Sequence, residues 1–191
     1  MSIINNDYFG SFVDQLVGTN GLVGPGGIHA GDPFSGTFSY DSSASPISTS
    51  PSSATYEANS FTVTLPNAML LGTNQPTLRV STDPQDPSIQ VFGKLPCNLF
   101  MGLLLRGPGD VISNTSLPVH IKLSSFLIKH FTICDDESAL FGYAQTPVPP
   151  PGAQVFLRGE LNELNKVKCL SILTGLLGAK YSIHRRRATG A

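Results

Sequence analysis

Gly31-Asp32-Pro33-Phe34-Ser35-Gly36-Thr37-Phe38-Ser39-Tyr40-Asp41 is the stretch on which the reading of this chain turns. Phe34, Gly36, Phe38 and Tyr40 share one side of a two-residue period, and Ser35, Thr37 and Ser39 share the other. Successive side chains of an extended strand point to opposite faces, so the pattern predicts one buried face and one wet face. Gly-Asp-Pro opens the strand as a turn, and Asp41-Ser42-Ser43 closes it. Phe34, Phe38 and Tyr40 are therefore expected in a core that other strands must complete.

Working outward, Tyr8 to Val17 reads as a first strand. Gly18 to Gly31, with Gly24-Pro25-Gly26-Gly27, reads as a loop, since glycine and proline both oppose helix. Ser42 to Thr55 is a Ser/Thr/Pro/Ala run with little to bury, expected as an exposed loop. Phe61, Val63 and Leu65 alternate with Thr62 and Thr64 and predict a strand that Pro66-Asn67 stops. Shorter strands are expected near Leu78–Thr82 and Ile89–Phe92. Asn98 to Leu105 is a continuous apolar run whose length and flanks predict a strand buried on both faces. Val119, Ile121 and Leu123 alternate with His120 and Lys122 and predict a further strand. Phe126–Ile133 and Val155–Leu161 complete the set, with a proline-rich link at 147–152.

Eight or nine short strands with no amphipathic helix before residue 164 predict an all-β fold, an antiparallel β-sandwich or jelly roll. At 191 residues the chain suits one such domain, 1–164, and a tail, 165–191. Charge marks the same boundary. Residues 1–163 hold six basic and all thirteen acidic residues, a net of −7, whereas the tail holds six basic residues and no acid. Its apolar run, Cys169–Ala179, falls short of the ~20 residues a membrane-spanning helix needs. Arg185, Arg186 and Arg187 follow, and are the candidate contacts to a membrane or other anionic surface. Nucleic acid is not the expected partner, because the cluster lacks interleaved aromatics and the body is acidic.

Charged residues make up only 13% of the chain, and glycine, proline, serine and threonine abound, a balance commoner in extracellular β proteins than in cytosolic enzymes. Cys97, Cys134 and Cys169 are odd in number and form no close pair, so no zinc site of the usual kind is signalled. Two readings stay open for Cys134: a disulfide with Cys97, or burial in its apolar run. Met1–Asp7 has neither the basic start nor the apolar run of a secretory signal. With Met1 as the true start, the expected location is cytoplasmic.

Catalytic signatures are missing. No G-x-S-x-G, H-E-x-x-H, G-x-x-x-x-G-K-[ST] or G-x-G-x-x-G occurs. His29 stands beside Asp32 in a glycine loop and is expected exposed, with no nucleophile signalled near it. His120 is expected to face solvent, and His130 either way. Asp83/Asp86 and Asp135-Asp136-Glu137 are expected as solvated turns rather than calcium loops. Asn114-Thr115-Ser116 fits the N-glycosylation pattern. No catalytic residue, metal ligand or cofactor is assigned.

The anchor stretch resembles the "GD-x-F-x-G-x-F-x-Y-D" strand of the PEP-CTERM sorting-domain proteins, a class of bacterial exported β proteins. Leu117-Pro118-Val119-His120-Ile121-Lys122-Leu123-Ser124-Ser125-Phe126 is similar to their "LP-x-x-L-x-L-x-x-F" segment, and Arg158–Leu164 to their closing strand. Ser171-Ile172-Leu173-Thr174-Gly175-Leu176-Leu177-Gly178-Ala179, followed by the three arginines, is similar to their apolar helix and basic end. The Pro-Glu-Pro motif itself is absent, with Pro149-Pro150-Pro151 its nearest counterpart. The resemblance implies an exported or cell-envelope β-sandwich, non-catalytic, with a structural, matrix or ligand-binding role. Its partners would be cell-surface or matrix components. The competing class is a glycan-active or metal-dependent enzyme on a jelly-roll scaffold. With no tryptophan in the chain, its sugar platform would rest on tyrosine or phenylalanine. Convergence of His29, His120 and His130 would favour that enzyme.

Overall fold

The structure, a computed structural model, describes residues 2–13, 27–137, 140 and 155–167. Its strands are β1 (Ile3–Phe12), β2 (Pro33–Asp41), β3 (Ser48–Ser50), β4 (Ser53–Glu57), β5 (Ser60–Thr64) and β6 (Leu70–Gly72). They continue as β7 (Asn74–Ser81), β8 (Ser88–Lys94), β9 (Phe100–Arg106), β10 (Ile128–Cys134) and β11 (Phe156–Lys166). All join one antiparallel sheet in the order β3-β4-β7-β8-β9-β10-β11-β1-β2-β5-β6, curled into a half-barrel. The all-β antiparallel class is as expected. The strands number eleven among the described residues where eight or nine were expected, because β3, β4 and β6 form where no strand was expected while Val119–Leu123 forms none.

Two breaks explain the curl. β4 runs into β5 through Ala58 and Asn59, and β6 runs into β7 through Thr73, so the two ends of the sheet are halves of one bent hairpin. Ala58 N–H donates to Pro76 O at 2.9 Å and Thr73 N–H to Phe61 O at 3.0 Å, which carries the pairing through the bend. Most strands pair with the next along the chain, β2 passes over β3 and β4 to pair with β5, and β11 returns to pair with β1. Local hairpins account for this meander.

The inner face is aromatic. β1 supplies Tyr8 and Phe12, β2 supplies Phe34, Phe38 and Tyr40, and β5 and β10 add Phe61 and Phe131. Phe34 stacks on Phe131 at 4.8 Å between ring centroids, and Tyr8 lies within 6.4 Å of Phe34, Phe38, Phe61 and Phe131. Gly36 and Gly10 make that packing fit. A Cβ on Gly36 would collide with the Tyr8 ring and Thr62 O, and one on Gly10 with the Phe34 ring. The anchor strand thus buries Phe34, Phe38 and Tyr40 as expected. Ser39 is buried too, on the other face, where its hydroxyl meets that of Ser60 at 2.6 Å.

Several expectations need correction. The first strand begins at Ile3, not Tyr8, because an inward Asn6 interrupts the apolar alternation of Ile4, Tyr8 and Phe12. The Ser42–Thr55 run is not all loop. It contains β3 and the start of β4, and Ala54 is buried, since small side chains suit a tightly curled strand pair. Val119–Leu123 is no strand; it lies in the β9–β10 connection, described below. The last strand, expected over Val155–Leu161, runs from Phe156 to Lys166, five residues further, and Val167 N–H donates to Asn5 O. β9 is buried on both faces, as expected: Met101, Leu103 and Leu105 face the main core, and Leu104 the opposite side. The second half of the first expected strand, the proline-rich link and the tail from 168, with Arg185, Arg186 and Arg187, lie outside the described residues.

Two turns share one device that periodicity misses. Leu65-Pro66-Asn67-Ala68-Met69 and Leu95-Pro96-Cys97-Asn98-Leu99 each form a 3-10 turn closed by a leucine N–H to the carbonyl four residues on, at 2.8 and 2.7 Å. The fourth residue takes a left-handed backbone in both, φ 61° at Ala68 and 60° at Asn98. Proline fixes the entry, and a glycine three residues beyond each turn, Gly72 or Gly102, lies in the following strand.

Candidate functional site

One end of the curled sheet is covered by the connection between β9 and β10, residues 107–127, which forms a strap. Its base is tight: a Cβ on Gly107 would strike Val111, and Val111 N–H closes a turn onto Pro108 O at 3.0 Å. Gly107 N–H donates to Pro87 O and Leu127 N–H to Arg106 O, pinning both ends to the sheet. Leu117, Ile121 and Phe126 point inward and are buried, while Val119, His120 and Lys122 are exposed. Spacings of four and five residues between the buried side chains fit neither helix nor strand, and Leu123–Ser125 makes a single 3-10 turn.

Three side chains from the sheet hold the strap by its carbonyls. Tyr40 Oη donates to Pro118 O at 2.6 Å, Tyr56 Oη to Thr115 O at 2.9 Å, and Lys166 Nζ to Val119 O at 3.0 Å. Burial pushes the Tyr40 phenol up to about 12, against the Asn6 side chain beside it, so it stays a donor at any ordinary pH. A chain without strand partners still has to satisfy its backbone, and these donors do that for the strap.

Between strap and sheet lies a cleft of about 460 Å³. Val80 and Ile89 make its floor, Leu117, Ile121 and Phe126 its inner wall, and Ser113, Asn114, His120 and Lys122 its polar rim. That volume and an apolar body with a few polar groups suit a small ligand. Two other concavities compete poorly. A groove of about 810 Å³ at the bend is lined largely by polar and turn residues such as Asn59, Asn74 and Gln75. A notch of about 320 Å³ beside Lys129, His130 and Glu160 is almost wholly polar.

The histidines do not converge. His29 is exposed in its loop, its N–H donating to Asp32 Oδ2 at 2.8 Å. His120 sits on the strap's rim. His130 is buried on the outer face of β10, where Arg158 Nη2 donates to its Nε2 at 2.7 Å. Burial first, then the charges of Arg158 and Arg106, depress its pKa to about 4. His130 is therefore a neutral acceptor for the guanidinium at neutral pH. Among the described residues, no three His, Cys, Asp or Glu side chains are grouped to hold a metal.

The acidic clusters are structural. Asp83 Oδ1 accepts from Gln85 N–H at 2.9 Å in a turn, Asp86 pairs with Arg106, and Asp135 Oδ2 accepts from Val155 N–H. Cys134 carries a free thiol, not a disulfide. Its Sγ donates to Asp136 O at 3.1 Å, and burial pushes the thiol up to about 12. Asn114 is exposed, its Oδ1 accepting from Ser116 N–H.

The cleft was the part that sequence reasoning missed. Its one early signal was the turn-rich Gly107-Pro108-Gly109-Asp110 that opens the connection. No family model, curated protein or solved structure matches the chain.

Proposed function

We propose that this chain is a non-catalytic binding domain of the cell envelope or exterior, taking a small ligand in the cleft beneath the β9–β10 strap. The observation that carries the reading is the cleft itself, apolar within and polar at its rim, built by a strap anchored through three side chains. The low charge and the PEP-CTERM-like blocks support an exported setting. On this reading the curled sheet works as a two-layer β-sandwich, with β5 approaching β7 and β8 across the core. Arg185, Arg186 and Arg187 would hold the tail against an anionic surface, each such residue contributing ~1 kcal/mol near it.

Titration with a neutral apolar fluorophore such as Nile red tests the cleft. One saturable site per chain is expected, lost in Ser116→Trp, which fills the mouth from an exposed rim position. Non-saturable binding, or binding that the substitution leaves unchanged, would overturn the reading. Turnover of a glycan substrate by the purified protein would instead favour the enzyme class.

A further inference from the structure

We propose that the ligand of this cleft is a small anionic amphiphile, an apolar body carrying a carboxylate; the inference rests on the binding reading above and specifies its chemistry. Charge sets the sign. Residues 1–163 carry a net of −7, yet no carboxylate contributes to the cleft's lining among the described residues, and the one full cation in it is Lys122. Lys122 is exposed at the rim, with His120 two residues away as a second polar group for an acid headgroup. A further ammonium, Lys166, is tied to Val119 O on the same strap. In an acidic protein, a cleft mouth that presents an ammonium and no carboxylate attracts anions.

The interior sets the rest of the molecule. Val80, Ile89, Leu117, Ile121 and Phe126 offer no charge or side-chain hydrogen-bonding atom, so the part that enters must be apolar. A wholly apolar ligand would leave the Lys122 ammonium unused. A highly polar one, such as a sugar, would lose its hydration against that floor. The apolar surface lies beneath the strap, so the occupant is a free molecule and not a lipid seated in a bilayer.

Calorimetric titration of the full chain with decanoate, decan-1-ol and decyltrimethylammonium, each below its micelle concentration, tests this with one apolar tail and three headgroups. Decanoate is expected to bind tightest, at one per chain. Lys122→Glu should weaken decanoate about tenfold or more and leave decanol unchanged, since reversing the charge replaces attraction with repulsion. Added salt should weaken decanoate alone. Ser116→Trp should abolish binding of all three. If decanol or the ammonium binds as well as decanoate, the anionic inference falls and the cleft reading stands. If none binds, both fall. Decanoate binding untouched by Ser116→Trp would place the site elsewhere and overturn the inference.

Discussion

Replacing His130 by glutamine isolates a pH dependence that the geometry dictates. The His130 imidazole is buried and accepts from Arg158, which holds its pKa at about 4 against 6.5 in an unfolded chain. Between those values the unfolded chain binds the proton and the folded chain does not. Stability therefore rises with pH across this window, and is lost as pH falls from about 6.5 toward 4. Integrating the two titrations gives a loss of about 2.5 kcal/mol by pH 4.5, an upper figure because the site keeps some solvent contact. Glutamine preserves a carbonyl acceptor for the guanidinium but does not titrate. Urea unfolding at intervals from pH 7.5 to 4.5 should show the wild type losing more than His130→Gln, by up to that amount. Titrations elsewhere are common to both chains and cancel in the difference. Parallel stability curves would refute the buried, neutral imidazole.

The remaining expectations concern the sheet. Phe38→Ala should cost about 3–5 kcal/mol through lost transfer and cavity energy, read as a fall in the denaturation midpoint, because Phe38 is fully buried among Tyr8 and Tyr40. Gly36→Ala should cost about 3 kcal/mol in the same assay, at the upper end of ordinary overpacking, since the added methyl meets backbone as well as the Tyr8 ring. Ala68→Gly should raise stability by about 0.5–1 kcal/mol: alanine at φ 61° is strained, its side chain is exposed, and glycine relieves the strain for a smaller entropic cost. An unchanged or lowered midpoint for that variant would mean the turn is not left-handed at residue 68.

The all-β class could be read from the sequence because period-two alternation requires only that a strand bury one face. Phe34, Phe38 and Tyr40 met that requirement in nine residues, and β5 met it with Phe61 and Val63. Strand pairing across long separations was harder to read. The partner of β1 includes β11, more than 140 residues later, and no local feature of Tyr8 or Phe12 specifies Leu164 or Gly159 opposite them. Breaks within runs were also hidden. Ala58-Asn59 and Thr73 carry no proline or glycine that would mark the bend in advance.

The strap shows why a partly correct local pattern can give the wrong element. Val119, Ile121 and Leu123 alternate with polar residues, and in the structure Ile121 points inward and Leu123 is half-buried, while Val119 is exposed along with His120 and Lys122. Alternation reports that one face is buried, which a lid over a sheet end satisfies as well as a strand does. What separates the two is where the backbone groups go. A strand needs a neighbour's amides and carbonyls at every second residue, whereas the strap's carbonyls at Thr115, Pro118 and Val119 are met by Tyr56, Tyr40 and Lys166. Those partners lie 59, 78 and 47 residues away along the chain. The same substitution of side-chain donors for strand pairing leaves room beneath the strap, because a lid tied at three points need not pack as closely as a ladder. The cleft is thus a consequence of the feature that defeated the strand reading, and the side chains that build it are to be sought among the hydroxyl and ammonium donors of distant strands.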